Sequence, residues 1–321
     1  MTSGRPIAAV DCGSNTTRLL VSQDGRDLVR TSQITGLGRG LAKTGRMSDE
    51  AIERCVAVLG HYRGLIDQHG VASRDIGVIA TSASRDAANA AQFFDAADAA
   101  LGVRPTVITG EREASLSFAG AAGGLDGGGS VTVFDIGGGS TEFSVGKVVE
   151  GVATLEGAVS IDMGSVRFTD AYVEHDPPRP EELSAMLSVI EAHLDDVVRD
   201  LPAAAGASRF VGVAGTATTI AAVEIGMVDY DPDVIDGFVL TRAAAEDVFR
   251  TLATEPLADR IHNPGLLEAR ADVIVAGCAI FVGIMRFFGL DEVIVREHDI
   301  LDGLIAAVEA GESADGSTHG R

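Results

Sequence analysis

A twelve-residue pattern occurs twice in this chain, and no other feature limits its fold so tightly. Val10-Asp-Cys-Gly-Ser-Asn-Thr-Thr-Arg-Leu-Leu-Val21 aligns without a gap on Phe134-Asp-Ile-Gly-Gly-Gly-Ser-Thr-Glu-Phe-Ser-Val145. Asp11 falls on Asp135, Gly13 on Gly137, Thr17 on Thr141 and Val21 on Val145. Each copy reads as a buried strand ending in aspartate, a tight turn and a second strand. A duplicated unit of this kind, placed at the start of each half, implies two related units facing one cleft.

The turns suit a particular chemistry. Glycine lets the backbone take positive φ and approach a ligand closely. Consecutive N–H groups in such a turn make a concave anion site, and the neighbouring aspartate is a hard oxygen ligand for Mg²⁺ beside phosphate. One copy is half a phosphate clamp; two make a whole one. Gly212-Val-Ala-Gly215-Thr216 supplies a third glycine turn after a strand. A single glycine hairpin is ordinarily only a turn, but chance gives no reason to repeat Asp, Gly and Thr in register. A dinucleotide fold fits less well, because a strand follows Gly137-Gly138-Gly139 where that site needs a helix N-terminus.

Around the repeat, elements alternate. Strands are expected over 7–12 and 18–23, with a third after Asp24-Gly25, a dipeptide that favours hairpins. Ser48 reads as a helix N-cap, with Asp49 and Glu50 in the first turn. Ile52, Cys55, Val56, Leu59 and Ile66 then keep helical spacing as far as Gly70. A strand at 76–80, a helix over 86–100, a strand at 106–109 and a helix opening at Gly110-Glu111 follow. Gly123 to Ser130 is a glycine-rich break and the candidate boundary. The pattern then restarts with strands at 131–136, 142–147 and about 149–156. Later come a helix from Leu183 to Val198 stopped at Pro202, and a strand at 209–213. A buried helix at 273–288, a strand at 292–295 and a last helix, about 299–309, close the chain. This is the alternation of an α/β fold. The tail from Gly311 is small and polar and reads as disordered.

Composition narrows the rest. At 321 residues, 46% hydrophobic and 22% charged, the chain is globular and long enough for two domains and a large core. The longest apolar run, Val273 to Met285, is 13 residues, short of the roughly 18 to 20 that a bilayer span needs. Met1 to Pro6 lack the apolar core of a signal peptide, so a cytoplasmic location is expected. Cys12, Cys55 and Cys278 cannot all pair and read as small buried residues in a reducing compartment. The seven histidines show no zinc-enzyme spacing. A net charge of −22 disfavours nucleic acid and anionic membranes as partners. Any phosphate substrate must therefore meet cations locally. Asp195-Asp196 and Pro177-Pro178 read as a solvated helix face and a loop. Arg39 and Arg167 are open between phosphate contact and surface roles. His298 is open between packing and catalysis.

The paired loops, Thr109-Gly110-Glu-Arg-Glu113-Ala, Gly212–Thr216 and the closing Glu297-His-Asp-Ile-Leu-Asp-Gly303 together resemble the exopolyphosphatase / guanosine pentaphosphate phosphohydrolase (Ppx/GppA) family. The resemblance runs from about residue 6 to 310, and Asp135-Ile-Gly-Gly-Gly-Ser-Thr-Glu142 is its most specific stretch. The family lies in the superfamily of acetate and sugar kinases, heat-shock protein 70 and actin. The resemblance implies two ribonuclease-H-like, actin-like domains with an active site in the cleft between them. These are expected at 1–122, completed by the C-terminal helix at about 299–310, and at 123–298, leaving a tail at 311–321. It implies Mg²⁺-dependent hydrolysis of the terminal phosphate of inorganic polyphosphate, or of guanosine pentaphosphate. Glu113 then matches the catalytic base, Asp11, Asp135 and Glu142 the metal-binding acids. Ser14, Asn15, Gly137, Gly138, Gly139, Ser140 and Thr141 match the phosphate loops, joined by Gly215 from the third turn, and Arg85 is expected to point at phosphate. Arg112 stands where the family commonly has a second glutamate and is expected to face solvent. The chain lacks the further helical domains of long members, so short polyphosphate is the expected preference. Guanosine tetraphosphate or pentaphosphate as inhibitor or substrate, and a homodimer, follow from the resemblance alone. A small-molecule kinase and a non-catalytic phosphate or alarmone sensor are the competing readings.

Overall fold

A computed structural model describes residues 4–126 and 128–316. Two sheets organise it. The first contains β1 (Ile7–Cys12), β2 (Thr16–Gln23), β3 (Arg26–Ile34), β4 (Ile76–Ala80) and β5 (Thr106–Val107), in the order β3-β2-β1-β4-β5. The second contains β6 (Gly129–Ile136), β7 (Thr141–Val149), β8 (Val152–Ile161), β9 (Arg209–Val213), β10 (Phe238–Thr241) and β11 (Glu292–Val295). Its order is β10-β11-β9-β6-β7-β8. Read from β8, the second sheet repeats the first: an antiparallel meander of three strands, then a parallel neighbour. The sequence duplication is therefore a duplication of topology. The β2–β3 hairpin turns at Asp24 and Gly25, both at positive φ, as that dipeptide requires.

Helices with side-chain caps cover the sheets, the Ser48 cap as expected. Ser48 Oγ accepts from Ala51 N at 3.2 Å to start helix Asp49–Gln68, and Thr109 Oγ1 accepts from Arg112 N at 3.2 Å to start helix Gly110–Ala122. The apolar run at 273–285 forms the centre of helix Ile274–Phe287, which is apolar all round because helices pack about it inside the second unit. No helix among the described residues is long and apolar enough to cross a membrane. All three cysteines are free and buried.

Two helices tie the sheets together by exchange. Gly110–Ala122 follows the first sheet in sequence, yet Phe118, Ala121 and Ala122 pack on Val131, Val133, Val211 and Val213 of the second. Ile300–Ala310 follows the second sheet, yet Ile300, Leu301 and Leu304 pack on Ile7, Ala9, Leu20 and Ile79 of the first. The helices cross where neither carries a side chain. A Cβ on Gly120 would strike the carbonyl of Asp299, and one on Gly303 would strike the carbonyl of Leu116.

The tail departs from expectation. Glu312 N donates to Ala307 O at 2.9 Å, and Ala314 is buried against the helix Ile300–Ala310 cluster. Arg112 turns back onto it, giving Nη2 to Glu312 Oε2 and Nε to the Ala314 carbonyl, each at 3.2 Å. Arg112 thus packs on Glu312 and Ala314 where solvent was expected. Residues 317–321, the rest of the expected disordered segment, lie outside the described residues, as does Gly127 in the glycine-rich break.

Candidate active site

β1 and β6 lie in the interior of their sheets and carry Asp11 and Asp135 as their last residue but one, so both loops open at the carboxyl edge, where ligands of open α/β sheets bind. The turns are built alike. Gly13 N donates to Thr16 O at 3.1 Å, and Gly137 N donates to Ser140 O at 3.0 Å. None of these loop glycines takes positive φ. What demands glycine is space. A Cβ on Gly138 would sit 3.0 Å from Asn15 N and from Ser14 Cβ, and one on Gly139 would sit 2.9 Å from Ser14 Oγ. The two loops touch face to face. The N-terminus of helix Ser165–Tyr172 clasps the second: Ser165 N and Val166 N donate to the carbonyls of Gly137 and Gly138 at 2.9 and 2.8 Å.

Between the loops lies a cavity of about 70 Å³. Asp11, Gly13, Ser14, Asn15, Asp135, Gly137, Gly138, Gly139, Ser140 and Gly215 all line it, together with Glu113. Glu113 reaches it from the first turn of the exchanged helix. Three expected residues are placed differently. Arg85 does not line the cavity; it donates from Nη1 to Glu113 Oε2 and to the Ile108 carbonyl, both at 2.9 Å, and so holds the glutamate instead of facing phosphate. Thr141 is fully buried and donates to the Met163 carbonyl. Glu142 stands opposite Asp135 in the β6–β7 register and accepts from Ser160 Oγ at 2.7 Å, behind the cavity wall.

The acids are nearly dry: Asp11 is 3% exposed, Glu113 8%, Asp135 6% and Glu142 2%. Burial drives the Glu113 carboxyl up to about 7, with the Arg85 guanidinium opposing and the Asp11 and Asp135 charges adding. Burial likewise lifts Asp135 to about 6, against Arg18, and raises Glu142 well above the usual carboxylate range. Asp11 is raised by burial, and its Oδ1 has no hydrogen-bond partner among the described residues.

Four residues at the site carried no sequence assignment. Arg18, opposite Asp11 in the β1–β2 register, gives Nε and Nη2 to Asp11 Oδ2 at 3.0 and 2.6 Å and also holds Asp299. The hairpin spacing that pairs Asp135 with Glu142 was the signal for it. Ser117 Oγ donates to Asp135 Oδ2 at 2.8 Å, one turn after Glu113. Arg270, from a loop with no motif, also lines the cavity. Burial and the like charge of Arg18 push its guanidinium down to about 10, and it makes no ion pair among the described residues. Gly215 explains how it fits: any side chain there would overlap the Arg270 guanidinium. The preceding residue, Ala214, takes positive φ, a conformation that costs a non-glycine residue energy and clusters at functional sites.

The open assignments resolve into ties between the units. Arg167 donates from Nε to the Gly139 carbonyl at 2.7 Å and from Nη2 to Ser82 and Asp86. Arg39 pairs with Asp272 at 2.7 Å. His298 does have a partner, Asp302 one turn on, whose carboxylate raises it above the ordinary histidine value.

Two sheets of one topology, with acid–glycine turns meeting over a cavity that also receives a buried glutamate, define a two-lobed, actin-like phosphate-handling fold. The sequence matches the Ppx/GppA phosphatase family over residues 21–310, and the chain belongs to that family. Exopolyphosphatase 2 of Mycobacterium tuberculosis is 36% identical over 316 residues, covering 93% of this chain and 97% of that protein. A solved exopolyphosphatase-like protein superposes with a TM-score of 0.89 at 32% identity, over 94% of this chain and 98% of its own. The Ppx/GppA family member of Aquifex aeolicus does so with a TM-score of 0.77 at 32% identity, over 95% and 98%.

Proposed function

We propose that the chain is an exopolyphosphatase, which hydrolyses the terminal phosphoanhydride of inorganic polyphosphate with Mg²⁺ and releases orthophosphate. One observation carries this: the cavity brings a buried glutamate poised near neutral pH to two opposed glycine loops and an unpaired arginine. The cavity, about 70 Å³ and enclosed by the two loops, suits a small tetrahedral group. The name of the M. tuberculosis relative supports the same substrate.

The donor set fits a divalent cation. An orphaned Asp11 Oδ1 and several buried carboxylates that raise one another leave negative charge that Arg18 and Arg85 only partly offset. Asp11 and Asp135, which line the cavity, would hold Mg²⁺, which when bound neutralises phosphate oxygen charge, while Glu142, expected as a third ligand, stands behind the wall and adds its charge from there. The chain's own groups do the rest. Both loops place the terminal phosphoryl group, and Arg270 meets its equatorial oxygens. Arg85 fixes Glu113 Oε2, leaving Oε1 to orient a water and accept its proton. Phosphoryl transfer needs little more than such positioning and charge neutralisation. The two units, 1–122 with 299–310 and 123–298, meet at the crossed helices beside the cavity.

A second cavity of about 440 Å³ adjoins the first at Arg18, Gly215 and Arg270. It takes the remainder of the substrate, and its finite size favours short polyphosphate. Its Tyr230, Pro232 and Leu267 walls keep guanosine pentaphosphate as a second reading. Orthophosphate release is measured side by side from tripolyphosphate, long polyphosphate, guanosine pentaphosphate and ATP, with and without Mg²⁺. Short polyphosphate is expected to be fastest, with no release without the metal; no orthophosphate from any polyphosphate would sink the proposal. Gly215→Val, by expelling Arg270, is expected to raise the KM for tripolyphosphate by about 10- to 100-fold, the loss of a hydrogen bond to a charged group. Titration of rate against substrate concentration checks it.

A further inference from the structure

We propose that Asp299 sets how tightly this site holds phosphate, by keeping Arg18 engaged and withheld from the substrate; this rests on the polyphosphatase reading above. Asp299 is the N-cap of helix Ile300–Ala310. Its Oδ1 accepts from Leu301 N at 3.0 Å, while its Oδ2 accepts from Arg18 Nη1. Arg18 spends its remaining fork on Asp11 Oδ2. A guanidinium is the side chain best shaped to take an oxyanion through two parallel bonds, and here both of its edges are taken by carboxylates.

Arg270 faces the same two cavities as Arg18 and makes no ion pair among the described residues, its Nε being without a hydrogen-bond partner there. Both line the same two cavities, and the Arg18 charge lowers that of Arg270, so an anion between them would be held by both if both were free. As built, Arg270 alone is free. Among the described residues Arg18 is the cation that Asp299 pairs with; neighbouring Arg30 feels the Asp299 charge but gives its hydrogen bonds to Asp302 at 2.6 Å and to Asp27 at 2.7 Å. Nor does capping need the charge: asparagine and serine cap a helix as well as aspartate. The carboxylate at 299 therefore acts on Arg18. Its consequence is weaker ground-state binding of phosphate, which keeps orthophosphate from lingering as product.

Asp299→Asn removes the charge and keeps the cap. The KM for tripolyphosphate, and the Kd for orthophosphate by calorimetry, are expected to fall about three- to tenfold, the range of a modest gained contact to a charged group. Turnover should change by less than about twofold. In an Arg18→Gln background the same substitution should give no gain. Asp299→Ser repeats the measurement should asparagine disturb the helix. Unchanged or raised KM and Kd in a variant that melts like the wild type overturns the inference, as does a gain that persists without Arg18. Absence of polyphosphate hydrolysis by the wild type defeats the broader reading instead, and the orthophosphate Kd still decides the role of Asp299.

Discussion

Glu113→Gln is expected to lower turnover by about 10² to 10⁴-fold, the usual loss for a general base, while KM for tripolyphosphate stays close to its wild-type value. Glutamine has the same shape, and its carbonyl oxygen can still accept from Arg85 Nη1, which holds Glu113 at 2.9 Å. What disappears is the ability to take a proton. Because burial sets the carboxyl at about 7, wild-type kcat/KM should rise with pH through that value as the base ionises. The variant should lose this limb. Stability should move the other way. A carboxyl whose folded pKa is raised from 4.5 to about 7 contributes stability that is fully present below about pH 4.5 and is lost as pH rises through about 7. Without metal, the variant should therefore melt higher than the wild type at pH 8, and the difference should shrink at lower pH. Turnover, its pH profile and thermal melts at pH 5 and 8 check these together. Unchanged turnover would remove Glu113 from the role of base.

The parts of this site that the sequence exposed are those whose geometry is local. Asp11 and Asp135 lie at strand ends, and Gly13 and Gly137 open the three- and four-residue turns that follow, so their spacing in sequence is their spacing in space. The cap at Ser48 was legible for the same reason. Arg270 and Asp299 were not, since each reaches the cavity through tertiary packing that no period reports. Arg85 was found by resemblance, but its bond to Glu113, 28 residues on in a different element, was not legible. Helix Ala214–Ile225 escaped notice because it is built of small and apolar residues and buried on nearly every side, so it shows no amphipathic face. Arg112 and the tail show the limit of composition: a short polar segment was ordered by one arginine and the burial of Ala314.

Replacing Gly303 by valine should damage this protein more than any other change so far from the loops. The position is exposed neither to solvent nor to ligand; it faces the Leu116 carbonyl of the crossing helix, and Gly120 meets the Asp299 carbonyl reciprocally. A backbone carbonyl cannot rotate away as a side chain can, so the helices must separate. Overpacking of this kind costs typically about 1 to 3 kcal/mol, and a rigid backbone contact belongs at the upper end. The catalytic consequence follows from what the helices carry. Glu113 and Ser117 flank Leu116 on one helix, and Asp299 caps the other while gripping Arg18. A shift of about 1 Å between reacting groups can cost about 100-fold in rate. Gly303→Val is therefore expected to lower the melting temperature and also to reduce turnover per folded molecule by about two orders of magnitude. Gly226→Ala separates the two effects, because Gly226 is a helix C-cap at φ 70° with open space around it. That change should cost about 1 kcal/mol of stability and leave turnover intact. If Gly303→Val melted and turned over as the wild type does, the crossing would not be what holds Glu113 over the cleft.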